Sequence, residues 1–256
     1  MYQSAVFEDG GYRYLPSVFQ YSAGVVAEPG FELVQVRFKE LRPINEAFNV
    51  IEQHLKQVGR PLTAFAHCEL RSPKQFDDQG FINFNQSYVG TLEKWGIYRP
   101  PSKGGVFINP VARTNVCPEH SGPSEVCMYS FAYTVPSTSS LSKSFILSGG
   151  GDARPGSEPY RERIIAYGDT SEHGMRLKME FVADEMYRRL RSLGFEWADV
   201  TTAQAYSVHN IGNWTEDIFA KHGRMSCGIN WYFARPPVLG LDFEMDARGS
   251  VNQIFI

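Results

Sequence analysis

The chain has few cysteines, and their spacing suits neither a metal site nor a disulfide framework. Four cysteines are scattered along 256 residues, and no two of them form a CxxC pair. Zinc sites need closely spaced ligand pairs, and disulfide frameworks are typical of much shorter secreted chains. The histidines are also dispersed, notably His67, His209 and His222. We therefore expect reduced thiols, structural histidines and no bound metal.

The chain also lacks a long apolar run and an excess of positive charge. Its formal net charge is −3, with 43% hydrophobic and 21% charged residues, which is ordinary for a globular protein. No run approaches the roughly 20 apolar residues of a membrane helix, and the N-terminal residues lack the basic-then-apolar order of a signal peptide. We therefore expect a cytoplasmic protein without nucleic-acid or membrane partners.

Residues 181–211 carry the clearest local pattern, a helix followed by a strand. Apolar side chains fall at helical spacing at Phe181, Met186, Leu190 and Leu193. Arginines are assigned to the solvent face at Arg188, Arg189 and Arg191. Gly194 stands where a left-handed C-cap is needed. An extended run then begins at Trp197.

A weaker copy of this pattern occurs earlier, in residues 47–70. Leu55 and Gly59 match Leu190 and Gly194 at one constant offset, and an extended run follows in both places. A Ser-Gly corner also precedes each helix. The pattern predicts duplication of one α+β unit, with units at residues 1–136 and 144–256. The Ser- and Thr-rich segment 136–143 is the predicted connector.

Several short motifs fall in the same order as in a known family. In the first half they are Ser22-Ala23-Gly24, the helix end Leu55 to Gly59, Asn85 with Tyr88, and Pro110-Val111-Ala112-Arg113. In the second half they are Ser148-Gly149, Leu190 to Gly194, and Phe243-Glu244-Met245-Asp246. Together they resemble the Rid family of reactive-intermediate deaminases, also labelled endoribonuclease L-PSP-like proteins.

The resemblance implies a fold, an activity and an assembly. The implied fold is α+β, with two tandem Rid-like (chorismate mutase-like) units, each a mixed sheet covered by two helices. The implied activity is hydrolytic deamination of a small enamine or imine carboxylic acid, with release of ammonia and no cofactor. Rid proteins assemble as trimers with pockets between subunits, so a homo-oligomer, a trimer of tandem units or a related pseudo-symmetric assembly, is expected.

Each half departs from the family pattern in a different way. The first half keeps Arg113 but has Cys127-Met128-Tyr129 where acidic residues are usual. The second half has Glu244 and Asp246 but lacks the arginine, since Gly228 stands near that position. The resemblance therefore implies a pocket that combines the arginine of one half with an acid of another half or chain.

Candidate roles follow from the chemistry of each side chain. Arg113 can bind a substrate carboxylate through two parallel hydrogen bonds, or it can serve in an ion pair. Glu244 and Asp246 share one strand face and can move protons, or they can lie on a solvated face. The further substrate-binding candidates are Asn85, Tyr88, Gly24 and Gly149, each with a packing or turn role as its alternative. Asn115 can orient a water molecule or occupy a sheet edge.

Two other functions remain open at this point. The first is a non-catalytic sensor or accessory protein, because each half holds only part of the residue set. The second is a hydrolase or lyase that acts on an aromatic or ring-derived acid, because the chain is rich in aromatic residues.

Overall fold

The computed structural model describes residues 3–102, 105–138, 144–156, 159–221, 223 and 226–256. These residues form two mixed β-sheets and four α-helices, which confirms the α+β class. The first sheet contains, in spatial order, β1 (Ala5–Phe7), β2 (Tyr12–Tyr14), β3 (Gly24–Ala27), β8 (Phe145–Gly151), β12 (Glu244–Gly249), β9 (Thr202–Tyr206) and β10 (Asn230–Tyr232). The second contains β11 (Ala234–Arg235), β6 (Ala112–Pro118), β5 (Phe65–Arg71), β7 (Cys127–Pro136), β4 (Phe31–Pro43) and β13 (Asn252–Phe255). The helices are α1 (Ile44–Gln57), α2 (Asp78–Lys94), α3 (Glu172–Leu193) and α4 (Thr215–Ala220).

Helix α3 forms where the apolar spacing predicts it. The Ser171 hydroxyl accepts a hydrogen bond from the Gly174 N–H and caps its first turn. Gly194 ends it with φ of 89°, which confirms the predicted left-handed C-cap. The strand that follows is β9, which begins after a short 3-10 turn at Trp197–Asp199 and therefore later than predicted.

Four layers build the molecule, with helices outside and the two sheets face to face. Helices α1 and α2 cover the second sheet, and the contact is apolar and aromatic, with Phe48, Leu55, Phe65, Leu92 and Phe131. Helix α3 covers the first sheet through Phe145, Met179, Met186, Leu190 and Met245. Burial of each such side chain stabilises the fold by about 1.5–3 kcal/mol before entropy is counted. No helix in these described segments is long and apolar enough to span a membrane.

Polar and charged side chains fill part of the space between the sheets. On β12, Met245 packs toward α3, whereas the alternate residues Asp246 and Arg248 face the second sheet. The Thr114 hydroxyl on β6 donates a hydrogen bond to Asp246 at 2.8 Å. Arg248 donates to Glu69 on β5, also at 2.8 Å. These bonds fix the position of one sheet against the other.

Two sets of four strands share one order and one pattern of directions. In the second sheet the order is β6-β5-β7-β4, with β5 and β6 parallel and the other neighbours antiparallel. In the first sheet the order is β10-β9-β12-β8, again with one parallel pair, β9 and β10. Helices α1 and α3 follow the first strand of each set in the chain. This correspondence concerns strand order and direction alone, and it does not confirm two Rid-like units.

Strands from both ends of the chain cross between the two predicted units. The N-terminal strands β1 to β3 extend the first sheet beside β8, and the C-terminal strands β11 and β13 extend the second sheet beside β6 and β4. Each sheet therefore contains strands from both sides of the predicted connector, residues 136–143. The division into two units stays a prediction. Residues 139–143 of the predicted connector lie outside the described residues.

The cap of α3 generates a first testable prediction. Gly194→Ala is expected to lower the free energy of unfolding by about 1–2 kcal/mol, because a side chain disfavours positive φ. The matched control is Gly90→Ala inside α2, where an added Cβ meets open space. That change is expected to stabilise the protein by roughly 0.5–1 kcal/mol. Urea unfolding of both variants measures the difference, and equal effects would contradict the cap assignment.

Candidate active site

A cavity of about 570 Å³ lies where β8, β12 and α3 meet the N-terminal loop. Residues 16–21, 153–156, 160 and 163 contribute to its lining. The lining also combines glycines with ionisable side chains, namely Gly149, Gly150, Gly151, Glu185, Arg189 and Glu244. Aromatic side chains complete it, including Phe19, Tyr21, Phe81, Phe107 and Tyr160. The cavity therefore offers an acid, cations and flat apolar surfaces to one ligand.

Glu244 is the buried acid of this wall. It is the first residue of β12 and is only 4% exposed. Burial raises the pKa of its carboxyl well above the usual value; nearby Asp246 also raises it, and Arg189 opposes the shift. A carboxyl in this state keeps its proton to a higher pH than an exposed carboxyl does and can donate it, so Glu244 has the properties of a general acid.

Glycines in β8 make room for this arrangement. A Cβ on Gly149 would overlap the Glu244 Oε1 atom, and a Cβ on Gly150 would overlap Met186 and crowd Arg189. The Gly149 N–H donates to the Thr114 hydroxyl at 3.1 Å, which holds the strand against the second sheet. The glycine run therefore lets a carboxyl and a guanidinium approach the backbone closely.

Two arginines place positive charge on the cavity wall. Arg189 donates to the Ser148 carbonyl at 3.1 Å and to Glu185 at 3.0 Å. Arg163 lies over the Tyr160 ring, 4.2 Å from its centroid, and its buried Nε has no hydrogen-bond partner. Both can bind an anionic group of a ligand.

Arg189 corrects one sequence prediction. It was assigned to the solvent face of α3, but it is 8% exposed and points toward β8. Its position three residues after buried Met186, on the same helix face, was the available signal. The Ser148 carbonyl that holds it comes from a strand distant in sequence, so spacing alone did not find it. Sequence reasoning also missed Arg163 and Glu185 as cavity residues.

Arg113 lies behind the cavity wall. It is 2% exposed, and its Nη2 donates to the Asn85 side-chain oxygen at 2.6 Å, while its Nη1 has no partner. Its guanidinium is surrounded by the rings of Tyr21, Phe81, Phe84 and Tyr88 at 4.7–6.0 Å. Tyr21 and Phe81 line the cavity, so these rings separate Arg113 from it. Arg113 also opposes the raised pKa of Glu244, so its charge reaches the site.

The remaining predicted site residues are divided between the cavity and the protein interior. Gly149 and Glu244 line the cavity. The others lie away from its lining. Asp246 accepts hydrogen bonds from Thr114 and Tyr206, and Asn115 accepts one from Ser72. The Tyr88 hydroxyl contacts the Cys68 sulfur, and Gly24 packs on Leu147. The structure thus brings Arg113 and Asn85 together behind the wall that carries Glu244. The roles assigned to all of these residues stay predictions.

Metal-ligating side chains do not converge in the described segments as a group of three or more. His67 is fully buried, and burial lowers its pKa to about 3, so its ring is neutral. His209 lies 3.4 Å from Asp242. His222 is outside the described residues.

Comparison with known proteins identifies the family. The family model described as "2-aminomuconate deaminase CnbZ" matches residues 4–254. The chain belongs to the CnbZ family. It is 54% identical over 254 residues to a 2-amino-5-chloromuconate deaminase of Comamonas testosteroni, with 99% of each chain covered. A crystal structure of chorismatase matches with a TM-score of 0.49 and 15% identity, covering 96% of this chain and 78% of that one.

Membership of the CnbZ family corrects the resemblance to the Rid family, which was wrong. The matching model spans almost the whole chain, whereas the Rid motifs were runs of two to five residues. Short turns and helix ends recur in unrelated proteins because the same backbone geometry selects the same residues. The trimeric assembly that the resemblance implied stays a prediction.

The buried acid of this CnbZ-family chain generates a second prediction. The raised pKa means that Glu244 stabilises the fold below its unfolded pKa, about 4.3, and that this contribution is lost as pH rises through the folded pKa. Glu244→Gln removes this titration. Its melting temperature is therefore expected to rise relative to wild type as pH increases from about 4 to about 8. Exposed Glu40→Gln is the control, and a pH-independent difference for Glu244→Gln would refute the buried-acid assignment.

Proposed function

We propose that this protein is a hydrolytic deaminase of an unsaturated amino dicarboxylic acid of the 2-aminomuconate type. The family and the 54% identical relative, whose names describe aminomuconate deaminases, support the reaction class. The observation that carries the proposal is the buried Glu244, whose carboxyl pKa is raised, in a cavity that also presents Arg163 and Arg189.

The reaction needs a proton to move before water attacks. A 2-aminomuconate-type acid carries its amino group on a carbon–carbon double bond, as an enamine. Protonation of a chain carbon converts the enamine to an imine, and water then adds to the C=N carbon. Collapse of the adduct expels ammonia and leaves a 2-oxo acid, so one water is consumed for each ammonia released. The groups required are a proton donor, a proton acceptor and anchors for two carboxylates.

Glu244 is suited to the proton transfers. It begins protonated, so it can donate to the substrate carbon, and the resulting carboxylate can then accept a proton from the attacking water. A buried ion pair holds the preceding backbone in place: Lys178 lies 2.9 Å from Asp152, whose other oxygen accepts from the Phe243 N–H at 3.3 Å. Because Lys178 and Asp152 are fully buried, this anchor limits movement of Glu244.

The cations are suited to the two ends of the substrate. Arg163 has an unpartnered Nε and follows the 3-10 turn Tyr160–Glu162, whereas Arg189 stands on α3. A dicarboxylate that spans the cavity places one charge near each of them. Arg113 adds positive potential from behind Tyr21, and its unpartnered Nη1 reaches a ligand only if Tyr21 or Phe81 rotates. The proposed role of Asn85 is to hold Arg113 in that position.

Replacement of the acid tests the catalytic role. Glu244→Gln is expected to lower kcat for 2-aminomuconate by about 10²–10⁴-fold, because general acid–base catalysis typically contributes that much. KM is expected to change little, since Gln has a similar shape. Ammonia release above the rate in buffer, together with loss of the enamine absorbance, measures both constants. Full activity of a folded Glu244→Gln variant would remove Glu244 from the mechanism, and a wild-type rate equal to buffer would favour a non-catalytic binding protein.

Replacement of Arg163 tests substrate binding. Arg163→Gln is expected to raise KM by about tenfold, which corresponds to loss of one charge-assisted interaction. Arg161→Gln is the matched control, because Arg161 belongs to the same turn but is exposed and lies against Tyr167, outside the cavity lining. Steady-state kinetics of both variants measure the contrast. Equal KM values for the two variants would show that Arg163 does not contact the substrate.

A further inference from the structure

A second cavity, of about 230 Å³, lies between the two sheets and shares no lining residue with the first. One wall comes from β4 and β7, with Arg37 and Tyr129, and the facing wall comes from β9 and β12, with Gln204 and Arg248. We propose that this second cavity is a binding site for a short-chain dicarboxylate. The proposal does not depend on the deaminase activity of the first cavity.

Arg248 provides a buried cation with an unused donor. It is 5% exposed, and its two terminal nitrogens bond Glu69 at 2.8 Å and Asp246 at 3.3 Å. Its Nε, which is also buried, has no hydrogen-bond partner. A buried N–H of a charged group is costly to leave unpaired, so an acceptor in the cavity would remove that cost.

Arg37 provides the cation on the opposite wall. Its guanidinium lies 4.4 Å from the centroid of the Tyr129 ring and 5.7 Å from that of Phe255. No carboxylate within the described ranges forms an ion pair with it. Stacking on aromatic rings leaves the hydrogen-bonding edge of a guanidinium free for an anion.

The acid in this cavity does not cancel these charges for a ligand. Glu69 already accepts hydrogen bonds from Gln35, Ser130 and Arg248, and its second oxygen lies 3.5 Å from Arg71. Its oxygens are therefore turned toward protein donors. Even with both Glu69 and Asp246 ionised, the three arginines Arg37, Arg71 and Arg248 leave one positive charge in excess.

The lining decides the class of anion. Besides the arginines it consists mainly of amides and hydroxyls, namely Gln35, Gln204, Gln253, Asn230, Thr201, Thr202, Tyr129 and Tyr232. Such a lining excludes a large apolar acid, and the small volume excludes a long one. Because the two cations stand on facing walls, a molecule with a carboxylate at each end can present one charge to each of them.

Calorimetric titration with succinate tests the proposal. Wild-type protein is expected to bind succinate, and Arg37→Gln is expected to weaken binding by at least about tenfold, the loss of one charge-assisted contact. Arg37→Lys, which keeps the charge, is expected to recover part of the affinity. Arg161→Gln, an exposed arginine outside both cavities, is expected to leave this binding unchanged. Unaltered affinity in Arg37→Gln, or an equal loss of affinity in Arg161→Gln, would overturn the assignment.

Two further measurements complete the test. Inorganic phosphate at equal concentration is expected to compete poorly, and tighter binding of phosphate than of succinate would overturn the dicarboxylate class. A crystal of wild-type protein soaked in succinate is expected to show density between Arg37 and Arg248. Density in the first cavity alone would overturn the proposal, and this measurement does not require any variant to fold.

Discussion

The rest of the structure depends on charged side chains that are held between the two sheets. Taking ions out of water is costly, so a buried group of this kind persists only when each member has partners with good geometry. Glu69, Asp246 and Arg248 meet this condition together, because Arg248 bonds both acids. Burial alone would raise the pKa of Glu69, but the neighbouring arginines hold it well below its usual range. The same bonds fix where β12 lies against β5.

The register of β12 then decides the chemistry of the first cavity. Alternate residues of a strand face opposite sides, so a slip by one residue would place Met245 between the sheets and Glu244 in the core under α3. The Asp246 and Arg248 contacts forbid this slip. Glu244 therefore lies at the cavity edge, where Gly149 leaves room for its carboxyl. The Lys178–Asp152 pair holds the backbone of the preceding residue, Phe243. The reactive acid is positioned by groups that do not line the cavity themselves.

Local features of the fold were predictable from sequence, and long-range ones were not. The apolar spacing in α3 and the glycine at its end are properties of neighbouring residues, and both were predicted. The alternation around Glu244 and Asp246 correctly placed both on one strand face. However, the burial of Arg189 depends on Ser148, and the place of β1 to β3 beside β8 depends on pairing between residues that are nearly half the chain apart. Glu244 lines the first cavity, whereas Asp246 is held between the sheets by Thr114 on β6, and no motif spacing encodes that contact.

The crossing of strands has a consequence for how the molecule holds together. Both edge strands of the second sheet, β11 and β13, come from the last part of the chain, and three of the seven strands of the first sheet come from residues 5–27. Each sheet is therefore extended at its edge by strands from the opposite end of the polypeptide. Separation of the two halves of the chain would break backbone hydrogen bonds in both sheets at once. Each half would then expose unpaired strand edges. Strand pairing therefore ties each end of the chain to the sheet that is built mainly from the other half.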